Sequence, residues 1–82
     1  MIFYVYMLKS INSKIPKSYV GYTNKLLSRI KKHNSGKGAK STRGYKWKII
    51  YKKKFYDKSS AMSYEYALKN DKQKRKYLLN KS

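Results

Sequence analysis

The stretch Ile2-Phe3-Tyr4-Val5-Tyr6-Met7-Leu8 is answered, after the polar segment Lys9 to Lys17, by Ser18-Tyr19-Val20-Gly21-Tyr22. An unbroken apolar and aromatic run is the pattern of a strand covered on both faces. Side chains alternate along a strand, so Tyr4, Tyr6 and Leu8 point one way while Phe3, Val5 and Met7 point the other. The segment Lys9 to Lys17, with Ser, Asn and Pro in it, reads as a hairpin loop, and Ser18 to Tyr22 as the returning strand. Tyr19 can then share a face with Tyr6, although periodicity alone leaves the register open.

Outward from this hairpin, Asn24 is the expected N-cap of a helix running to about Asn34, with Gly36 just past its end. Leu26, Leu27 and Ile30 form its apolar stripe; His33 lies at the edge of that stripe and Arg29 beside it, one turn earlier. Lys37 to Lys46 reads as loop plus a short helical turn. Trp47 to Tyr56 is rich in β-formers and is expected to be a third strand ending near Asp57. Ser59 or Ser60 is the expected cap of a helix through Lys69, and a further helix is expected over Lys72 to Leu79. No repeat and no long linker interrupts residues 1–82, so they read as one small domain.

The charge balance limits the partners. There are 22 Lys and Arg against 3 Asp and Glu, a formal net charge of +19. Such a field favours a polyanion, because each phosphate neutralised releases a condensed counterion. Codon bias would explain the preference for lysine over the three arginines, but not the scarcity of acids. A membrane surface fits less well, since no helix joins a wide apolar face to a purely basic one. The chain has no cysteine, which excludes disulfides and thiolate-held zinc. No apolar stretch approaches the roughly 20 residues of a membrane span, and Ile2 to Leu8 is too short for a secretory signal. The expectation is an intracellular, cytoplasmic protein.

Few groups are available for chemistry. In a helix starting near Ser60, Glu65 falls within the arc of Ala61, Tyr64 and Leu68. Burying an unpaired carboxylate costs several kcal/mol, so Glu65 needs a partner, either a lysine or a divalent cation beside bound phosphate. His33, Asp57, Glu65 and Asp71 are the only side chains of the usual ligand types, and they are scattered. A site with two metals held by several carboxylates is therefore not expected. One Mg²⁺ or Mn²⁺ on Glu65, waters and phosphate oxygens is feasible. Tyr6 and Tyr19 are either packing residues or, with cations nearby to favour the phenolate, candidate bases. Arg29 suits a phosphate oxygen. His33 could accept a proton or simply hold a tyrosine hydroxyl, and a lone helical histidine is more often structural.

Tyr4-Val5-Tyr6, Tyr19-Val20-Gly21, the run Leu26 to Gly36 with Arg29 and His33, Gly38-Ala39-Lys40-Ser41-Thr42, and Glu65-Tyr66-Ala67-Leu68-Lys69 occur in an order that resembles the GIY-YIG nucleases. The likeness is to their small bacterial members and to the N-terminal catalytic domain of the excision-repair subunit UvrC. It implies an α+β fold, a three-stranded antiparallel sheet flanked by helices, and metal-dependent endonuclease activity on DNA. It also implies catalytic roles for Tyr6, Tyr19, Arg29, His33 and Glu65, with Glu65 as the metal ligand. Tyr4 stands where the first motif usually has glycine, and Tyr22 where some relatives have lysine. Tyr19 is slightly preferred as the base, because it adjoins Gly21, where a phosphate could approach the backbone. The expected substrate is DNA, single-stranded, flapped or branched, cut with low sequence specificity. The open alternatives are a non-catalytic nucleic-acid-binding module, RNA included, or a basic accessory subunit of a repair or ribonucleoprotein complex.

Overall fold

Strand β1 (Phe3–Ser10) is the middle strand of the sheet, paired on one side with β2 (Ser18–Thr23) and on the other with β3 (Trp47–Phe55). Both pairings are antiparallel. The computed structural model describes every residue, Met1–Ser82. Helix α1 (Leu26–Asn34) follows β2, a 3₁₀ turn (Lys40–Thr42) precedes β3, and α2 (Lys58–Asn70) and α3 (Lys72–Lys81) complete the chain. The expected three-stranded antiparallel α+β fold is the observed one.

The alternation read from β1 decides which layer each residue joins. Val5 and Met7 pack with Val20, Ala61, Leu68 and Leu78 beneath α2 and α3. Tyr6 and Leu8 face the other way, with Trp47, Tyr19, Leu26 and Ile30 on the side of α1. Val5, Tyr6, Met7 and Leu8 are all fully buried, as a central strand between two layers requires. Each large apolar side chain removed from water in this way contributes about 1.5–3 kcal/mol. A register shift in the β1–β3 ladder falls between Met7 and Leu8. Beyond it, Ile49 joins the α1 side while Ile50 and Tyr51 join the other.

The helix starts differ from expectation. Asn24 does not cap α1: the cap position is Lys25, whose backbone N–H donates to Thr23 Oγ1 at 3.0 Å. The side chain of Asn24 instead donates to Met1 Sδ. At α2 the cap is Asp57, not Ser59 or Ser60; its Oδ1 accepts the Ser60 N–H at 2.8 Å. Asp71 does the same for α3, accepting the Lys74 N–H at 3.0 Å. A carboxylate outcompetes a serine hydroxyl here because its charge also meets the positive end of the helix. No helix is long and apolar enough to cross a membrane.

Candidate active site

The β1–β2 register sets Tyr6 opposite Gly21 and Leu8 opposite Tyr19. Tyr6 and Tyr19 therefore stand on one face, the face that α1 covers. Gly21 is glycine because the Tyr6 phenol lies across it. A Cβ there would come within 2.5 Å of Tyr6 Oη and 3.0 Å of Tyr19 Cε2. The space expected for a phosphate is thus occupied by a ring, and the sequence-based reason for favouring Tyr19 is corrected.

His33 is fully buried, packed under the loop after α1. The backbone crosses it at Gly38, where a Cβ would sit 2.6 Å from His33 Nδ1. Its two ring nitrogens have different partners, Tyr6 Oη at 2.9 Å from Nε2 and Thr42 Oγ1 at 3.0 Å from Nδ1. Thr42 donates its own proton to the Ala39 carbonyl at 2.7 Å, so toward the ring it accepts. That leaves the proton on Nδ1, and Nε2 accepts from the Tyr6 hydroxyl. Burial, and to a lesser degree the Arg29 charge, hold His33 below its usual pKa, which keeps the ring neutral. The 3₁₀ turn carrying Thr42 is fixed in turn by Trp47, whose Nε1 donates to the Thr42 carbonyl at 2.9 Å.

With its proton committed to His33, Tyr6 presents lone pairs to Arg29. The Tyr6 pKa is pushed up to about 12, chiefly by burial and further by Tyr19 and Glu65, with Arg29 opposing. Contact with Tyr6 raises the Arg29 pKa further despite desolvation. Arg29 Nε is buried and has no hydrogen-bond partner. An orphaned guanidinium nitrogen is costly in a finished protein and suited to a bound anion. Arg29 also lines a groove of about 520 Å³ with Tyr22, Thr23 and Lys58 among its other walls. Tyr19 differs from Tyr6: it is half-buried, and it too interacts with Arg29. Its ring lies 4.8 Å from His33 and 6.3 Å from Tyr6.

Glu65 is set apart from these four. It rises from α2, half-buried, with Lys69 Nζ 3.5 Å from its Oε1. Its charge is felt at Tyr6, but no hydrogen bond joins it to the cluster. The structure thus gathers Tyr6, Tyr19, Arg29 and His33, and leaves Glu65 on a neighbouring element. Thr42 is the residue that sequence reasoning missed. Its segment had been matched as a block, but a threonine in a Lys- and Gly-rich loop carries no sign that it faces a histidine. Asn70 only closes α2, donating to the Tyr66 carbonyl at 2.9 Å.

Two tyrosines on adjacent antiparallel strands, an arginine and a histidine on the next helix, and a glutamate on a later one now find their match in a family of known proteins. The GIY-YIG catalytic domain matches residues 2–78. The chain belongs to the GIY-YIG family. A UPF0213 protein of Oceanobacillus iheyensis is 46% identical over 67 residues, spanning 80% of this chain and 74% of that protein. One from Streptococcus pneumoniae is 42% identical over 74 residues, 89% of this chain and 72% of its own. The solution NMR structure of a UPF0213 protein from Bacillus halodurans superposes with a TM-score of 0.53 at 38% identity, covering 98% of this chain and 84% of that one. GIY-YIG proteins form a nuclease family, generally dependent on a divalent metal, and the domain implies contact with nucleic acid.

The donor set fits such a metal narrowly. Asp57 and Asp71 are engaged at helix starts, and nowhere do three His, Asp or Glu side chains gather. Of the three acids, only Glu65 is free of a helix start, and its contact with half-exposed Lys69 is of a kind worth little. A single half-buried carboxylate suits a hard cation that takes its other ligands from water and phosphate.

Proposed function

We propose that the chain is a metal-dependent DNA endonuclease of low sequence specificity, acting in the cytoplasm on single-stranded, flapped or branched DNA. The observation that carries this reading is the hydrogen-bonded line Ala39–Thr42–His33–Tyr6, which ends at an arginine with a buried, unpartnered nitrogen. Such a line orders a charged group toward an anion that the protein itself does not contain.

In this reading Arg29 binds the scissile phosphate through its guanidinium and stabilises the charge that develops there. Tyr6 and His33 are the rigid backing: they fix the guanidinium plane and exclude water behind it. Tyr19, only half-buried, takes the proton of the attacking water. Glu65 would hold Mg²⁺ or Mn²⁺, which supplies Lewis-acid polarisation of a phosphate oxygen.

Purified protein incubated with end-labelled single-stranded, duplex and branched DNA, with and without Mg²⁺ or Mn²⁺, tests this reading. Cleavage is expected only with metal, and Glu65→Gln should abolish it while DNA binding stays equal or strengthens. Tight binding without cleavage under either metal would make the chain a binding module instead.

A further inference from the structure

Tyr4 is the sharpest departure from the family pattern, a bulky ring where the first motif usually has glycine, and the structure gives that ring a place. It shares the face of Tyr6, two residues and roughly 7 Å along the same strand. There it lines a groove of about 590 Å³ together with Leu26, Leu27, Ser28, Lys25 and Lys52. Leu27 is 79% exposed, so the groove is an apolar slot open to water. A smaller cleft of about 190 Å³ with no apolar lining residue shares Lys25 and Ser28 with it and is also lined by Arg29 and Lys32.

We propose that this groove is a nucleobase subsite, in which one unpaired base of the DNA strand stacks on the Tyr4 ring next to the phosphate held by Arg29. The proposal rests on the nuclease reading above and adds how the strand is held. An aromatic face with aliphatic walls takes any base through its π-surface. Two lysines, Lys25 and Lys52, beside apolar walls match a ligand that is apolar in its body and anionic along its edge. The shared residues Lys25 and Ser28 set the slot beside the cleft that Arg29 lines, within reach of the neighbouring nucleotide of a strand whose phosphate Arg29 holds. A base paired in duplex cannot enter it, so the groove favours single-stranded or frayed DNA.

The test uses a single-stranded oligodeoxynucleotide bearing one 2-aminopurine, in chelator so that no strand is cut. Wild-type protein should quench the 2-aminopurine emission. Tyr4→Phe should do so with affinity unchanged within about twofold, because the ring is kept. Tyr4→Leu keeps apolar bulk but has no π-face; it should lose the quenching and bind roughly 5- to 150-fold more weakly. A 5-iodouracil oligonucleotide photocrosslinked to the wild-type chain gives an answer that needs no variant: the adduct should map to Tyr4. Undiminished quenching by Tyr4→Leu, or adducts confined to the exposed Tyr56, Tyr66 and Tyr77, would overturn the subsite. Failure of the nuclease reading shows separately, as no strand scission when Mg²⁺ or Mn²⁺ replaces the chelator, whatever the quenching result.

Discussion

Single hydroxyl groups separate the roles of the tyrosines. Tyr19→Phe and Tyr6→Phe each remove one oxygen and keep the ring. Tyr19→Phe should lower turnover by roughly two to four orders of magnitude, the scale of a positioned base. Tyr6→Phe frees His33 Nε2 and loosens Arg29, so it should weaken phosphate binding as well as turnover. Tyr66→Phe, at an exposed position, should change neither. Single-turnover rates of the three variants check this, and full activity in the double variant of Tyr6 and Tyr19 would eliminate a tyrosine base. The buried histidine has its own signature in stability. His33 in the folded protein lies below its unfolded value of 6.5. Between the two values the unfolded chain binds the extra proton, so stability falls as pH drops below about 6.5. Denaturant midpoints measured from pH 7 to pH 5 should show that loss, and His33→Gln should flatten it. At this scale the sequence was partly legible. Alternation allowed Tyr6 and Tyr19 to share a face but left the register open, which the β1–β2 pairing settles; that His33 holds a tyrosine hydroxyl was one of the readings open from sequence. Thr42 was not legible, because its role depends on a loop folding back over nine residues of chain.

At the scale of elements, the strand and helix order was readable throughout, since period two and period 3.6 are properties of short windows. The caps were not. Asp57 looked like the end of a strand and a spare metal ligand, yet its carboxylate closes the first turn of α2. The deciding fact, that Ser60 N–H points at it, is a matter of chain direction after β3. The end of α1 shows a second device of this kind. Asn34 accepts from the Trp47 N–H at 2.6 Å and donates to the Trp47 carbonyl at 3.2 Å, pairing with β3 as a strand neighbour would. This ties the helix that carries Arg29 and His33 to the sheet that carries Tyr6. Among the glycines, a Cβ would meet its nearest neighbour most closely at Gly21, so Gly21→Ala is the informative change. Overpacking of this kind costs about 1–3 kcal/mol, and here the new methyl meets the phenol of Tyr6. Thermal unfolding should register the cost, and DNA cleavage should fall further than the stability loss explains.

For the whole molecule, charge dominates. Self-repulsion among the excess cations is screened by salt, so the melting temperature should rise between low and moderate salt. DNA affinity should fall steeply over the same range, as counterion release requires. Paired titrations of stability and affinity against NaCl check the opposite signs, and an affinity that ignored salt would contradict a phosphate-led interface. The arrangement of the site has a mechanical consequence too. Tyr6, Tyr19, Arg29 and His33 stand on β1, β2 and α1, with Tyr6 and His33 sealed inside the packing. In the proposed reading, a cleft built on such elements leaves the work of fitting to the DNA. Bending a continuous duplex of 20–30 base pairs by 40–90° costs on the order of 1–6 kcal/mol, whereas a flap, nick or junction already turns freely at its break. A stiff cleft would then select its substrates by their compliance, cutting where DNA yields most easily.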